Sequence, residues 1–116
     1  MTVVSWASFT MLAGKEDAAL ALIDAVREQA ECEQPGTLVY LVHRRVDAPD
    51  ILDFYECYAD TDALDAHLAS SSWQAVVANW PQCFAGESAS AGVQFVSLTR
   101  IAAFARGGAI PIVDPA

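Results

Sequence analysis

The feature that most constrains this chain is how often its hydrophobic period changes, and in what order. "TVVSWASFTML", residues 2 to 12, is β-branched and aromatic, as a strand requires. Gly14 breaks it, and from Glu16 to about Glu31 the period becomes helical, with Ala19, Leu22, Ile23, Val26 and Ala30 forming one stripe. Glu16 and Asp17 suit the positive first turn of that helix, and Pro35-Gly36 ends it. "TLVYLVHRRV" (37–46) and "ILDFYECY" (51–58) are two further strands, separated by the four turn residues "DAPD", which makes them an antiparallel hairpin.

Asp60 and Ser70 are natural N-caps for two short helices. The first runs through Leu68, with Leu64, His67 and Leu68 on one side. The second carries Trp73, Val76, Val77 and Trp80 at i, i+3, i+4, i+7 and ends at Pro81. Residues 82–92 are expected to be a flexible connection and 93–105 a long last strand. The order β-α-β-β-α(α)-β is the split βαβ pattern. It predicts an α+β, ferredoxin-like fold, a four-stranded antiparallel sheet with helices on one face. The predicted division is one domain over 1–105 and a Gly/Pro-broken tail over 106–116.

Along the third strand Phe54, Glu56 and Tyr58 share one face, and Asp53, Tyr55 and Cys57 the other. Both faces are largely apolar, so the side without helices calls for cover. A second copy of the chain is the simplest.

Charge narrows the function. Fifteen acids stand against six bases, a net charge of −9, and Lys15, Arg27, Arg44, Arg45, Arg100 and Arg106 are scattered. Nucleic acid needs a clustered positive footprint, and anionic membranes repel such a chain, so neither is an expected partner. No run reaches the length of a membrane span, and the N-terminus lacks a signal-peptide pattern. Three cysteines without CxxC spacing point to reduced thiols and a cytoplasmic setting. Neither His43 nor His67 has a partner at ligand spacing, so no metal site is expected.

"EQPGTLVYLVHR" and "PDILDFYECYADTDALDAHLASSSW" resemble the antibiotic biosynthesis monooxygenase family. The matching positions are Pro35, Gly36, Tyr40, Phe54, Tyr55, Glu56, Asp60, Ala63, Leu64 and His67. The resemblance implies a dimeric α/β barrel, with a cavity between sheet and helices in each subunit. It also implies oxidation of a quinol, anthrone or polyketide-like aromatic by O2, without flavin, metal or other cofactor. Where many relatives carry Pro-His-Phe this chain has Ser71-Ser72-Trp73, and Val77 stands where the haem-degrading branch has its histidine. Haem degradation is therefore not expected. The replaced histidine keeps open a second reading, a non-catalytic ligand-binding or accessory dimer.

His67 is the candidate catalytic base, a neutral imidazole able to accept a phenolic proton. The competing reading is a helix histidine bonded to a backbone carbonyl. Trp73 and Tyr40 are candidate substrate-binding walls, or else ordinary core. Asn79 is a candidate donor to a substrate carbonyl or a helix cap. Arg100 is a candidate oxyanion stabiliser or an interface ion pair. Glu56 is expected to be a structural carboxylate paired with Arg44, Arg45 or Arg100, within the chain or across a dimer, with work as a catalytic base its second reading.

Overall fold

The computed structural model describes residues 2–107. Its elements run β1 (Val3–Thr10), α1 (Glu16–Glu33), β2 (Thr37–Arg44), β3 (Ile51–Tyr58), α2 (Thr61–Leu68), α3 (Ser71–Ala78), α4 (Trp80–Cys83), α5 (Ala89–Gly92) and β4 (Gln94–Leu98). The four strands form one antiparallel sheet in the order β2-β3-β1-β4, with the helices on one face. This is the ferredoxin-like α+β arrangement that the period changes predict.

Local chemistry explains most of the boundaries. Asp60 Oδ1 accepts from the Ala63 amide at 2.8 Å and opens α2, and Ser70 Oγ accepts from the Trp73 amide at 3.4 Å to open α3. These bonds satisfy N–H groups that the first helical turn leaves unpaired. The buried stripe of α1 is Ala19, Ile23, Val26 and Ala30, with Leu22 only partly covered. Ala19, Ile23 and Val26 of this stripe pack with Phe9, Leu52, Val76, Trp80 and Phe84 in the main core. On the opposite sheet face, Val4, Val39 and Cys57 form a smaller buried cluster flanked by Leu41 and Tyr55.

Three expectations need correction. Pro81 does not stop the second helical segment. The chain turns at Asn79 and starts the new turn α4 with the proline in its first positions, where the missing N–H costs nothing. Residues 82–92 are not a plain connector either. Phe84 and Cys83 are buried, Leu12 N donates to Cys83 O at 2.9 Å, and Ala85 N donates to Thr10 O at 2.9 Å. This segment pairs with the end of β1 beyond the reach of β4, and apolar Phe84 anchors it. The last strand ends at Leu98 rather than at 105. Leu98 lies opposite Val4, near the beginning of β1, so a longer β4 would run past its ladder partner. Of the expected tail over 106–116, residues 108–116 lie outside the described residues.

Candidate functional site

A cavity of about 490 Å³ lies between the sheet and its helices. β1 and β3 supply its floor through Ala7, Phe9, Phe54, Glu56 and Tyr58, and β2 adds Tyr40. α2 gives Leu64, His67 and Leu68, and α3 gives Trp73 and Val77. Ser88, Ala89, Ser90, Val93 and Phe95 close the remaining side. The lining is overwhelmingly apolar and aromatic, and no lysine or arginine belongs to it. A flat hydrophobic ligand fits such a space, oriented by a few polar groups.

The ionisable groups among them are gathered at one place. His67 is 3% exposed, and its Nδ1 lies 2.9 Å from Gln34 Oε1. Thr37 Oγ1 also donates to that oxygen, so Gln34 Oε1 is an acceptor and His67 Nδ1 carries the proton. His67 Nε2 is then a bare lone pair, and it lies 3.6 Å from Glu56 Oε1. Glu56 Oε1 accepts a 3.0 Å hydrogen bond from the Tyr58 hydroxyl. The rings of Tyr40 and Tyr58 flank the imidazole, at 5.8 and 5.4 Å between centroids.

Burial dominates the protonation of this group. Desolvation pushes the Glu56 carboxyl up to about 7, against a smaller lowering by the Tyr58 hydroxyl. Desolvation pushes His67 down to about 4. Both groups are thereby driven toward their neutral forms. Tyr40 and Tyr58 are held well above the ordinary phenol value, first by burial and then by the Glu56 charge.

His67, Tyr40 and Trp73 are brought together around the cavity. Asn79 is not among the lining residues; its Nδ2 donates to the Ala75 carbonyl at 2.8 Å, the cap that was its other reading. Arg100 points the other way, donating to the Tyr55 hydroxyl on the sheet face away from the helices. Glu56 is the residue whose expected arginine partner the structure replaces. Its bonded partner is Tyr58 and its charged neighbour His67, while Arg45 is engaged by Asp53 at 2.7 and 3.1 Å. The signal was present in the alternation of β3, which sets Glu56 beside Phe54 and Tyr58 on the face that the helices cover. Gln34, just beyond α1, carried no such signal, because only the fold brings it to His67.

The sequence matches the antibiotic biosynthesis monooxygenase family over residues 3–79. The chain belongs to that family. Solved structures support the same fold at low identity. A Bacteroides thetaiotaomicron protein bearing the family name superposes with a TM-score of 0.76 at 16% identity, over 87% of this chain and 90% of its own. A Mycobacterium tuberculosis protein gives 0.72 at 22% identity, over 89% of this chain and 100% of its own. A Caulobacter crescentus protein, also bearing the family name, gives 0.71 at 19% identity, over 85% and 91%. No protein of curated function matches the sequence. Among the described residues no helix is long and apolar enough to cross a membrane, and no three His, Cys, Asp or Glu side chains converge as a metal site would require.

Proposed function

We propose that this family member is a cofactor-independent monooxygenase that oxidises a quinol, anthrone or related polyketide aromatic with O2. The observation that carries this reading is an aromatic-walled cavity of about 490 Å³ whose ionisable lining, apart from two tyrosines, is the Glu56–His67 pair. An electron-rich phenol or anthrone reduces O2 only after losing a proton, because its anion is the far better electron donor. The pair removes that proton, the apolar walls hold the anion flat, and water is kept from the reacting carbon. For an anthrone the atoms balance without a reductant. One oxygen of O2 becomes the new carbonyl, and the other leaves as water with both methylene hydrogens.

His67 and Glu56 act at the polar end, and Tyr40 and Trp73 stack on the rings. Arg100 and Asn79 have no part in this scheme. The functional unit is proposed to be a homodimer closed across the open sheet face, where Trp6, Leu41, Tyr55, Val96 and Leu98 lie on one side of the strands. The free thiols Cys32, Cys57 and Cys83 suit the reducing cytoplasm.

Aerobic incubation with a panel of dihydroxynaphthalenes and anthrones, following O2 uptake, tests the reaction. Uptake above the uncatalysed rate for at least one compound is expected, and none across the panel would refute it. The competing reading is a ligand-binding dimer without chemistry. It is favoured by Ser72, whose amide donates to Gln29 Oε1 at 2.9 Å and which lines no part of the cavity. Tight binding of the same compounds without O2 uptake would establish it.

A further inference from the structure

We propose that Glu56 is the group that takes the substrate proton, and that His67 is a positioning residue that packs beside its carboxyl group. This assignment rests on the oxidation reading above and divides the labour within its polar pair. Geometry supports it first. His67 has a single lone pair, at Nε2, because Nδ1 is committed to Gln34, and that lone pair faces Glu56 Oε1. Glu56 Oε1 is engaged by Tyr58, while Oε2 takes no hydrogen bond from any described residue. Glu56 lines the cavity, so Oε2 is the acceptor left for a ligand.

The neighbours also suit a position that becomes charged. Ser5 stands directly opposite Glu56 across the β1–β3 ladder, so both side chains lie on the helix-covered face. Ser5 is fully buried, and its Oγ bonds no described residue. That hydroxyl is available to donate when Glu56 ionises. The titratable groups facing Glu56 are Tyr58 on its own strand, Tyr40 on β2 and His67 on α2. α3, α5 and β4 bring Trp73, Val77, Ala89, Ser90 and Phe95 to the cavity, none of them charged, so no fixed cation holds the carboxylate ionised. Proton affinity agrees with the geometry. A carboxyl near 7 is poised to accept at neutral pH, whereas an imidazole near 4 is a weak base there.

In the step itself the phenolic O–H or activated C–H gives its proton to Glu56 Oε2. The electron pair stays on the substrate as phenolate or enolate, and Glu56 becomes a neutral acid still bonded by Tyr58. O2 then takes electrons from the anion.

Two measurements test this. The first is calorimetric titration of 2-naphthol under nitrogen, across the pH range around the Glu56 midpoint of about 7. In the unsubstituted protein affinity is expected to rise several-fold as pH climbs through that midpoint, since a carboxylate accepts the naphthol hydroxyl more strongly than a neutral acid does. Glu56→Gln is expected to bind with no such pH response, and His67→Gln to keep the response at a shifted midpoint. The second is the pH profile of O2 uptake. Glu56→Gln is expected to lower kcat by about 100-fold or more, with KM raised by no more than the several-fold loss in naphthol affinity, and to lose the acid limb, with partial recovery in Glu56→Asp.

A pH response that survives in Glu56→Gln but vanishes in His67→Gln would overturn the assignment and make His67 the acceptor. Absence of naphthol binding at every pH would overturn both the assignment and the cavity's reading as a phenol site. Binding with the expected pH response but no O2 uptake would overturn the oxidation alone and leave Glu56 as the proton-accepting ligand contact.

Discussion

At the scale of single residues, the Glu56–His67 pair makes stability depend on pH in two opposing ways. Glu56 has a folded-state value of about 7 against an ordinary 4.5. The folded chain thus keeps a proton that the unfolded chain has lost, and stability falls as pH rises through that window. His67 is at about 4 against 6.5, so its unfolded form protonates first and stability falls as pH drops from 6.5 toward 4. The slopes nearly cancel where the windows overlap. Glu56→Gln removes only the first. Urea unfolding of this variant is expected to show stability falling on acidification below 6.5 and, above pH 7, a gain of up to about 3 kcal/mol over the unsubstituted protein. Equal acid responses in the two proteins would refute this. Tyr58→Phe is expected to raise the Glu56 midpoint further, since the lost hydroxyl bond stabilises the carboxylate. A carboxyl 13C titration, assigned with Glu56→Gln, reads this shift; an unmoved or lower midpoint would contradict it.

At the scale of elements, two close approaches decide how tightly the helices sit over the cavity. A Cβ built on Gly36 would come 2.6 Å from the Ala63 Cβ in α2. Gly36→Ala is expected to push α2, and His67 with it, away from β2, costing about 1–3 kcal/mol in urea unfolding. It should also weaken 2-naphthol binding; unchanged stability and affinity would show that α2 has room to spare. The segment from 80 to 85 is held more firmly than the flexible connection expected over 82–92 allows. Trp80 is fully buried, its Nε1 donates to the Ala85 carbonyl at 3.1 Å, and its ring meets Phe84 and Phe9 at 4.7 and 5.0 Å. Phe84→Ala is expected to cost about 3–5 kcal/mol. A loss below about 1 kcal/mol would return the segment to the status of a loose connector.

At the scale of the whole molecule, the sheet is covered on one side and open on the other. The buried trio Val4, Val39 and Cys57 is too small to finish the open face, while Val96 and Leu98 of β4 are exposed there. Burying such apolar area gains roughly 25 cal/mol per Å², so a second copy seated there would add substantially to the stability of a short chain. Light scattering at micromolar concentration is expected to give twice the 12.4 kDa of one chain. Trp6→Asp on that face is expected to shift the mass toward the monomer. A monomer without the substitution would refute the dimer.

The period changes, caps and turn residues determined the order of elements, and with the right-handed crossover they determined the sheet. These are local matters of side-chain spacing and backbone chemistry, and each is written into a few neighbouring residues. Alternation and helical spacing also put His67, Tyr40 and Trp73 on the faces that line the cavity, since both are geometric. Tertiary structure alone decided the partners. Asp53 took Arg45, Tyr55 met Arg100, Asn79 turned back on its own helix, and Glu56 was left with Tyr58 and His67. It also brought Gln34 to His67 across 33 positions of chain, fixing which nitrogen holds the proton. A carboxylate's role depends on what desolvates it and what lies within a few ångströms, and neither is a property of its neighbours in sequence.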